Sequence, residues 1–387
     1  MKIKLFILFL MMSAMITYAE QPVRVALFNI WELSTEKLTD MENGVGQHEQ
    51  VLAAAKIIQT VRPDILVINE IDHDYRHPKD LAKNARRFVE AYLNQGENPI
   101  HYAHVFAAPC NTGILTGLDL NHDGLVADSS HIGTREYGND CFGYGEYPGQ
   151  FSMAVLSKFP VDSVNVRTFQ TFLWQDLPEN HLPQEYYSQE AKEMFRLSSK
   201  SHWDVPITVG EDQVHLFVSH PTPPVFDGEE DRNGRRNFDE IKFWVDYINN
   251  NSSLYDDDGV SGGFGKQEPF IIAGDLNASP YDEATYDNIT AAGQLLQHPH
   301  IQDTLPFTVS EGAVDENQPE PVAEQKTYTA QFGSGRRTRI DYVLPSQQLK
   351  IVDGGVFWPD SESDPHGHKL AEQASDHRLV WIDVELD

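Results

Sequence analysis

The stretch PFIIAGDLN, residues 269–277, joins an apolar run to an abrupt polar end. Continuous apolar runs rich in Val, Ile and Leu are typical of strands that are buried on both faces. Asp275 and Asn277 are two residues apart, so their side chains face the same side of an extended chain. The stretch therefore predicts a buried strand that delivers a carboxylate and an amide to one edge of a sheet. A Gly-Asp turn in which Asn277 caps the next segment is the alternative.

Four other apolar runs share this pattern of a strand that stops at polar residues. With the polar residue of each, they are VRVALFNI (23–30, Asn29), PDILVINE (63–70, Glu70), VHLFVSH (214–220, His220) and RIDYVL (339–344, Asp341). We expect these polar residues to gather at one edge of the fold.

Segments with the helical spacing of apolar residues lie between these strands, at 46–60, 78–93 and 237–249. The alternation of strands and helices predicts an α/β fold. Stretches rich in Gly, Ser, Asp, Glu or Pro are predicted loops, and they cover 249–266, 309–325 and 360–374.

The N-terminus has the pattern of an export signal. Two lysines precede an apolar run from Leu5 to Ile16, and Thr17-Tyr18-Ala19 offers a cleavage site of small residues. The run is shorter than the roughly 20 residues that a membrane-spanning helix needs. We expect residues 1–19 to be a signal peptide and residues 20–387 to form one domain. The mature protein is expected to be secreted or periplasmic, monomeric, and without a stable membrane anchor.

Cys110 and Cys141 are the two cysteines of the chain. An exported protein meets an oxidising compartment, where an even pair is expected to join. We therefore expect a disulfide that closes an insertion at about 110–141, with two free buried thiols as the alternative.

A calcium-loop pattern lies inside that insertion. Asp119, Asn121 and Asp123 alternate and precede Gly124, as in the first half of a calcium-binding loop, although Ser130 stands where such loops carry Glu. We expect a structural Ca²⁺ here, and the alternative is an Asx/Gly turn without an ion.

The chain is strongly acidic, with 59 acidic and 29 basic residues and a formal charge of −30. Such a charge repels polyanions and disfavours a nucleic-acid binder that depends on a basic face. A small phosphorylated substrate is therefore favoured as the partner. Nucleic acid remains an alternative, because a bound metal ion would neutralise the site locally.

The order of the polar motifs along the chain identifies a family. Asn29, Glu70, His220, GDLN, Asp341 in RIDYV and Ser375-Asp376-His377 before the strand RLVWIDVEL follow one another in this order. From about Val23 to Leu386 the chain resembles the endonuclease/exonuclease/phosphatase superfamily, as a secreted bacterial-type member. The resemblance implies the DNase-I-like fold, which is an α/β four-layer α-β-β-α sandwich of two mixed sheets.

The resemblance also implies a metal site. Glu70 would be the first metal ligand, Asn29 would assist at the metal or orient Glu70, and Asp376 would add a further carboxylate. Oxygen ligands suit a hard divalent cation, so the implied ion is Mg²⁺ or Mn²⁺, with Ca²⁺ as a further possibility.

The remaining motif residues are implied to act on the phosphate. Asp275 would position or deprotonate the attacking water, while Asn277 binds a phosphoryl oxygen. His220 and His377 would flank the phosphate, and Asp341 would fix the tautomer of His377 and favour its protonated form. The choice of general base between Asp275 and His377 stays open at this point.

The chain departs from the family pattern at two places. Trp31 stands where many nucleases of the family carry an Asp, so a second metal ligand from the first strand is in doubt. After His220 the chain reads Pro-Thr-Pro-Pro, and Thr222 is the residue that would replace the usual polar contact.

Two basic groups outside the motifs are candidates for binding substrate phosphate. One group begins a predicted helix, where backbone N–H groups also favour anions, and the other precedes a strand. They are Arg232, Arg235 and Arg236, and Lys200 and His202. For the arginines, pairing with the neighbouring acidic residues is the alternative.

These features together predict an exported, divalent-metal-dependent phosphoesterase that hydrolyses a phosphomonoester or phosphodiester by in-line attack of water. A secreted nuclease acting on DNA or RNA is the enzymatic alternative. A catalytically inactive, calcium-stabilised binding domain is the alternative from another class, and the intact motif residues argue against it.

Overall fold

The computed structural model describes residues 21–283, 286–333 and 335–386. The predicted signal peptide, residues 1–19, lies outside these ranges. Two large mixed sheets face each other in the described parts, and helices cover the outer face of each sheet. The predicted four-layer α-β-β-α sandwich is confirmed.

The first sheet has six strands. Their order across the sheet is β14 (Lys350–Val356), β15 (Val380–Glu385), β1 (Val23–Leu33), β4 (Ile65–Ile71), β6 (Met153–Ser157) and β5 (His104–Phe106). Strands β1 and β4 are parallel, with Asn29 opposite Asn69, whereas β15 runs antiparallel to β1.

The second sheet has five strands. Their order is β13 (Asp341–Pro345), β10 (Phe270–Asp275), β9 (Asp212–Ser219), β8 (His202–Val209) and β7 (Arg167–Thr168). Strands β9 and β10 are parallel, and β13 pairs antiparallel with β10 so that Asp341 lies opposite Asp275. Two small hairpins complete the strands: β2 (Met41–Glu42) with β3 (Val45–Gly46), and β11 (Ala330–Phe332) with β12 (Arg336–Thr338).

The helices are mostly short. They are α1 (Thr35–Thr39), α2 (Glu49–Val61), α3 (Lys83–Phe88) with a π-helical turn (Val89–Leu93), α4 (Arg135–Asn139), α5 (Gln189–Met194), α6 (Arg232–Ile248), α7 (Ala291–Leu296), α8 (Val322–Gln325) and α9 (Pro365–Ala374), besides 3₁₀ turns at Ser129–His131 and Trp174–Asp176. Helices α2, α3 and α6 correspond to the three predicted helical segments. Across the described ranges, no helix has the length and apolarity needed to cross a bilayer.

Helix α9 corrects the prediction of a loop at 360–374. Asp364 caps the helix by accepting a hydrogen bond from the Gly367 N–H at 2.9 Å, and Pro365 occupies the first turn. Proline and a capping Asp are typical of a helix start as well as of a loop, so composition alone gave the wrong structure here.

Alternation along the strands divides the core into layers. On β1, Val25 and Leu27 pack between the two sheets, while Ala26 and Phe28 face the helices that cover the first sheet. On β9, Leu216 faces the other sheet in the same way. Both faces of the central strands are therefore apolar, and polar groups are left to the strand ends.

The predicted disulfide is wrong, since Cys110 and Cys141 are both free and buried. The Cys110 sulfur lies 3.1 Å from Thr112 Oγ1, whereas the Cys141 thiol donates to the Tyr137 carbonyl at 3.2 Å. The thiols thus face different partners. The segment is tied together by the buried carboxylate of Asp140 instead, which accepts two backbone N–H groups, from Leu120 at 2.9 Å and Ala127 at 2.8 Å.

Candidate active site

Polar side chains of both sheets meet where the central strands end. Asn29 of β1 links the sheets, because its amide nitrogen donates to Glu70 Oε1 at 3.1 Å and to Asp275 Oδ2 at 2.9 Å. Asn69 adds a second link, since its Oδ1 accepts the backbone N–H of Asp275 at 2.8 Å. The sandwich therefore brings strands β1, β4 and β10 to one polar centre, as the sequence predicts.

The metal residues implied by the sequence lie on the first-sheet side of this centre. Glu70 is held by Asn29 and by the Glu32 N–H, which donates to Glu70 Oε2 at 2.9 Å. Asn29 Oδ1 is buried and lacks a hydrogen-bond partner in the described parts of the chain. Burial raises the pKa of Asp376, and the nearby Glu70 adds to this rise. Two neighbouring carboxylates beside an unsatisfied amide oxygen fit the donor set of a hard divalent cation.

A second group of potential ligands is formed by Asp275, Asp341 and His377, whose ligand atoms lie within 4.8 Å of one another. This group fits a cation less well. The His377 Nδ1 already lies 3.0 Å from both oxygens of Asp341, and a protonated imidazole has no lone pair for a metal. The chemistry of this trio therefore suits proton transfer better than metal binding.

His377 is held in its protonated form by the carboxylates around it. Burial lowers the pKa of His377, but Asp341 and Asp275 more than offset this effect and raise it to about 10. Burial also raises the pKa of Asp341, with His377 opposing the rise. Thr329 fixes this carboxylate by donating to Asp341 Oδ2 at 2.7 Å. The site thus places a positively charged donor beside Asp275.

Asp275 is the shared partner of both histidines. Its Oδ2 lies 3.4 Å from His220 Nε2 and 3.7 Å from His377 Nε2. Burial raises the pKa of Asp275, but His377 and His220 lower it below its usual range, so the carboxylate is charged at neutral pH. Burial lowers the pKa of His220, and Lys200 lowers it further.

Asn277 follows the end of β10 in a left-handed backbone conformation. Its φ is 50°, and Glu70 at the end of β4 has a φ of 65°. The Asn277 N–H donates to Asp275 Oδ1 at 2.9 Å, and its side-chain amide donates to the Pro221 carbonyl at 3.1 Å. The turn therefore holds Asn277 between Asp275 and the His220 loop.

The Asp341–His377 pair gives a pH-dependent prediction. The folded pKa of His377 is raised above its ordinary value of 6.5, so the pair stabilises the fold fully below that value and loses this contribution as the pH rises through about 10. The difference in the free energy of unfolding between the protein and an Asp341→Asn variant is expected to be larger at pH 7 than above pH 10. Chemical denaturation at pH 7 and above pH 10 measures it, and an equal difference at both pH values would contradict the assignment.

His202 and Arg236, predicted to contact substrate phosphate, are buried structural residues. The two ring nitrogens of His202 lie 3.0 Å from Ser198 Oγ and 2.8 Å from the Glu240 carbonyl. Arg236 donates only to backbone carbonyls, among them Leu197 at 2.8 Å. Their donors are used inside the fold, which a linear sequence of basic residues does not show.

Arg232 and Arg235 lie at the start of α6 among acidic residues. Arg232 forms an ion pair with Glu230 and lies over the Tyr186 ring, and Arg235 Nε donates to the Glu230 carbonyl. This is the alternative arrangement considered from the sequence. Contact of these two arginines with substrate stays a prediction.

The predicted calcium loop forms an Asx-type turn. Both oxygens of Asp119 accept backbone N–H groups, from Asp123 at 3.1 Å and Gly124 at 2.9 Å, and Asn121 donates to Asp123 Oδ2 at 2.9 Å. Hydrogen bonds alone thus account for this conformation, and the structural Ca²⁺ stays a prediction.

The two departures from the family pattern have clear positions. Trp31 is 51% exposed and leaves the metal side without a further carboxylate at that position. Thr222 is buried, and its hydroxyl lacks a partner among the described residues.

Two residues that organise the site were missed. The sequence pattern does not single out Asn69, because it directly precedes Glu70, the polar residue that ends the apolar run. Glu240 is fully buried on α6 and accepts the backbone N–H groups of Ser199 and Thr222, each at 2.6 Å. A Glu between Phe238 and Ile241, on the apolar side of a predicted helix, was the available signal.

The two-sheet fold and the polar site at the strand ends are those of a hydrolase family, and comparison with known protein families identifies the same family. The sequence model of the Endonuclease/Exonuclease/phosphatase family matches residues 26–377, nearly the whole chain. The chain belongs to this family, whose members are phosphoester hydrolases and generally use a divalent cation. A search of curated proteins gives no match.

The chain is also similar to solved structures at low sequence identity. An endonuclease/exonuclease/phosphatase from Beutenbergia cavernae is 18% identical with a TM-score of 0.52, and the alignment covers 95% of this chain and 72% of the other. The catalytic domain of human Nocturnin with bound sulfate is 16% identical with a TM-score of 0.49, covering 96% and 95%. The first of these similarities supports the fold alone.

Proposed function

We propose that this protein is an exported, divalent-metal-dependent phosphoesterase that hydrolyses a small phosphorylated substrate. The observation that supports this best is the arrangement around Asp275. One carboxylate oxygen of Asp275 is shared by Asn29, His220 and His377 at 2.9, 3.4 and 3.7 Å. Export rests on the predicted signal peptide, and the acidic charge of the chain favours a small substrate over a long polyanion.

The protonation states divide the chemistry between Asp275 and His377. Asp275 is charged at neutral pH and can accept a hydrogen bond from the attacking water, so it orients the nucleophile and receives its proton. Asn277 lies next to Asp275 and can donate to a phosphoryl oxygen once the substrate displaces its bond to Pro221.

His377 is the complementary acid. Its raised pKa means that Nε2 carries a proton at neutral pH, and Nδ1 is held by Asp341. The Nε2–H can stabilise negative charge on the phosphoryl group and protonate the leaving oxygen. At neutral pH Asp275 is unprotonated and His377 is protonated, which favours Asp275 over His377 as the general base.

A divalent cation would be held by Glu70 and Asp376 with Asn29 Oδ1, and it would supply Lewis-acid stabilisation of a phosphoryl oxygen. Asn29 donates to both Glu70 and Asp275, so it fixes the position of the metal ligand relative to the residue that orients the attacking water.

The proposal is tested with purified protein from which residues 1–19 have been removed. Hydrolysis of a phosphomonoester, a phosphodiester and plasmid DNA is measured with Mg²⁺, Mn²⁺ or Ca²⁺, and again after EDTA. We expect cleavage of the small esters that EDTA abolishes and added metal restores. Plasmid nicking at a comparable rate would make the protein a nuclease, and absence of turnover with every metal would overturn the proposal.

A further inference from the structure

Lys200 is a buried cation without a partner beside the candidate active site. The residue is only 6% exposed, and none of the residues in the described ranges forms a hydrogen bond or ion pair with its ammonium group. Strands β8 and β9 pair with His202 opposite Ser219, so the segments that carry Lys200 and His220 leave the sheet side by side. A buried charge that lacks a partner is costly, which makes an absent partner the natural explanation.

Glu240 on α6 holds the segment that carries Lys200 and the His220 loop through hydrogen bonds to their backbones. Its Oε1 accepts the Ser199 N–H and its Oε2 accepts the Thr222 N–H, each at 2.6 Å. Lys200 directly follows Ser199, so one buried carboxylate positions Lys200 and the His220 loop together. The position of the Lys200 backbone is further set by the Asn111 N–H, which donates to the Lys200 carbonyl at 2.8 Å.

Glu240 alone does not neutralise Lys200, because the positive charge of Arg236 also lies near Glu240. Arg236 lies one helical turn before Glu240 and is as buried as Lys200. It donates only to backbone carbonyls. Its positive charge is therefore available to balance Glu240 through space. Two cations against one carboxylate leave a single positive charge in this group, and Lys200 carries it close enough to Asp275 and Glu70 to interact with both.

The His220 loop beside Lys200 contains other buried atoms that lack hydrogen-bond partners among the described residues. The Thr222 hydroxyl and His220 Nδ1 are both buried, and the described residues provide no hydrogen bond to either. An unpaired ammonium group and an unpaired hydroxyl, both able to donate, point to an anionic ligand that carries several oxygens.

We propose that Lys200 binds a non-bridging oxygen of the substrate phosphate and makes this site selective for phosphomonoester dianions over phosphodiester monoanions. The inference rests on the proposed function, which it refines. A phosphomonoester carries about −1.5 to −2 charge at neutral pH. The four carboxylates Glu70, Asp275, Asp341 and Asp376 carry more charge than one divalent cation and the protonated His377 together, so a dianion is repelled unless a further positive charge lies nearby. Lys200 is the residue that supplies this charge.

The protonation of Lys200 is consistent with this role. Burial lowers the pKa of Lys200, while Glu240, Glu70 and Asp275 raise it. A bound dianion favours the charged ammonium further, so binding of phosphate and protonation of Lys200 support each other.

The test compares p-nitrophenyl phosphate with bis(p-nitrophenyl) phosphate, which have the same leaving group. In a Lys200→Met variant, kcat/KM for the monoester is expected to fall about 10- to 100-fold more than for the diester, as for the loss of a charge-assisted hydrogen bond. Inhibition by inorganic phosphate, the dianionic product, should weaken by a similar factor. Lys158→Met is the matched control, because Lys158 pairs with Asp64 at 2.9 Å at the opposite end of β4.

The outcomes separate this inference from the proposed function. Equal losses on both esters, or a Lys200→Met variant with unchanged phosphate inhibition, would overturn the role of Lys200 while hydrolysis stands. If the wild-type protein turned over neither ester, the proposed function would fail. Calorimetric titration with inorganic phosphate in the presence of Mg²⁺ would then decide on Lys200 by itself, since binding that is lost in Lys200→Met supports the anion site and equal binding, or none, refutes it.

Discussion

An Asp275→Asn variant is expected to lose about 10²–10⁴-fold in kcat, the usual contribution of a positioned general base. The substitution keeps the shape of the side chain, and its Oδ1 can still accept the Asn277 N–H that donates at 2.9 Å in the wild-type protein. It removes the negative charge that Asn29, His220 and His377 share. Steady-state hydrolysis of p-nitrophenyl phosphate at saturating metal measures the loss.

A suitable control for this variant is Asp246→Asn on α6, which breaks an ion pair between Lys242 and Asp246 remote from the centre. The control should keep wild-type turnover, because the side-chain partners of Asp246 are Lys242 and Asn251, which lie outside the candidate site. Retention of more than a tenth of the wild-type kcat by Asp275→Asn would show that another group accepts the proton.

A Glu70→Gln variant is expected to lose affinity for the divalent cation by more than the roughly 10–100-fold that loss of an outer-shell partner costs. The amide removes one of the two carboxylates assigned to the metal and puts an N–H₂ group near Asn29 and the Glu32 N–H, which both donate to Glu70. Calorimetric titration with Mn²⁺ measures the affinity directly. The stabilisation by metal in thermal unfolding should fall in parallel, because a ligand that binds only the folded state raises its stability.

The matched control is Glu311→Gln, since Glu311 pairs with Lys326 on the surface at 2.7 Å. This variant should bind Mn²⁺ as the wild-type protein does. Unchanged Mn²⁺ affinity in Glu70→Gln would show that other residues hold the ion. The group formed by Asp275, Asp341 and His377 would then be tested next.

The sequence predicts the strand-end residues well for a physical reason. Strands such as β1 and β10 are apolar on both faces, so a polar residue at the end of one is conspicuous. Asn29, Asp275 and Asp341 stand out in this way, and the two-sheet arrangement brings them together. The ordered motifs therefore carry most of the information about the centre of the site.

The sequence does not predict which partner a buried side chain finds in the folded protein. Arg236 and Lys200 look alike in the sequence, but one donates to buried carbonyls and the other has no partner in the described ranges. The free thiols of Cys110 and Cys141 are a similar case, because their separation along the chain says nothing about the direction in which each sulfur points. These choices depend on neighbours that are distant in the sequence.

The left-handed backbone at Glu70 has a consequence for how this lineage can change. A residue other than Gly, Asn or Asp pays roughly 1–2 kcal/mol in that conformation, and Glu70 adopts it with a φ of 65°. Selection for the proposed metal-binding role of Glu70 would maintain this cost. A descendant that abandoned hydrolysis would gain stability by drifting to Gly or Asn at this position. We therefore expect Gly or Asn at this position to be more common among relatives that have lost hydrolytic activity.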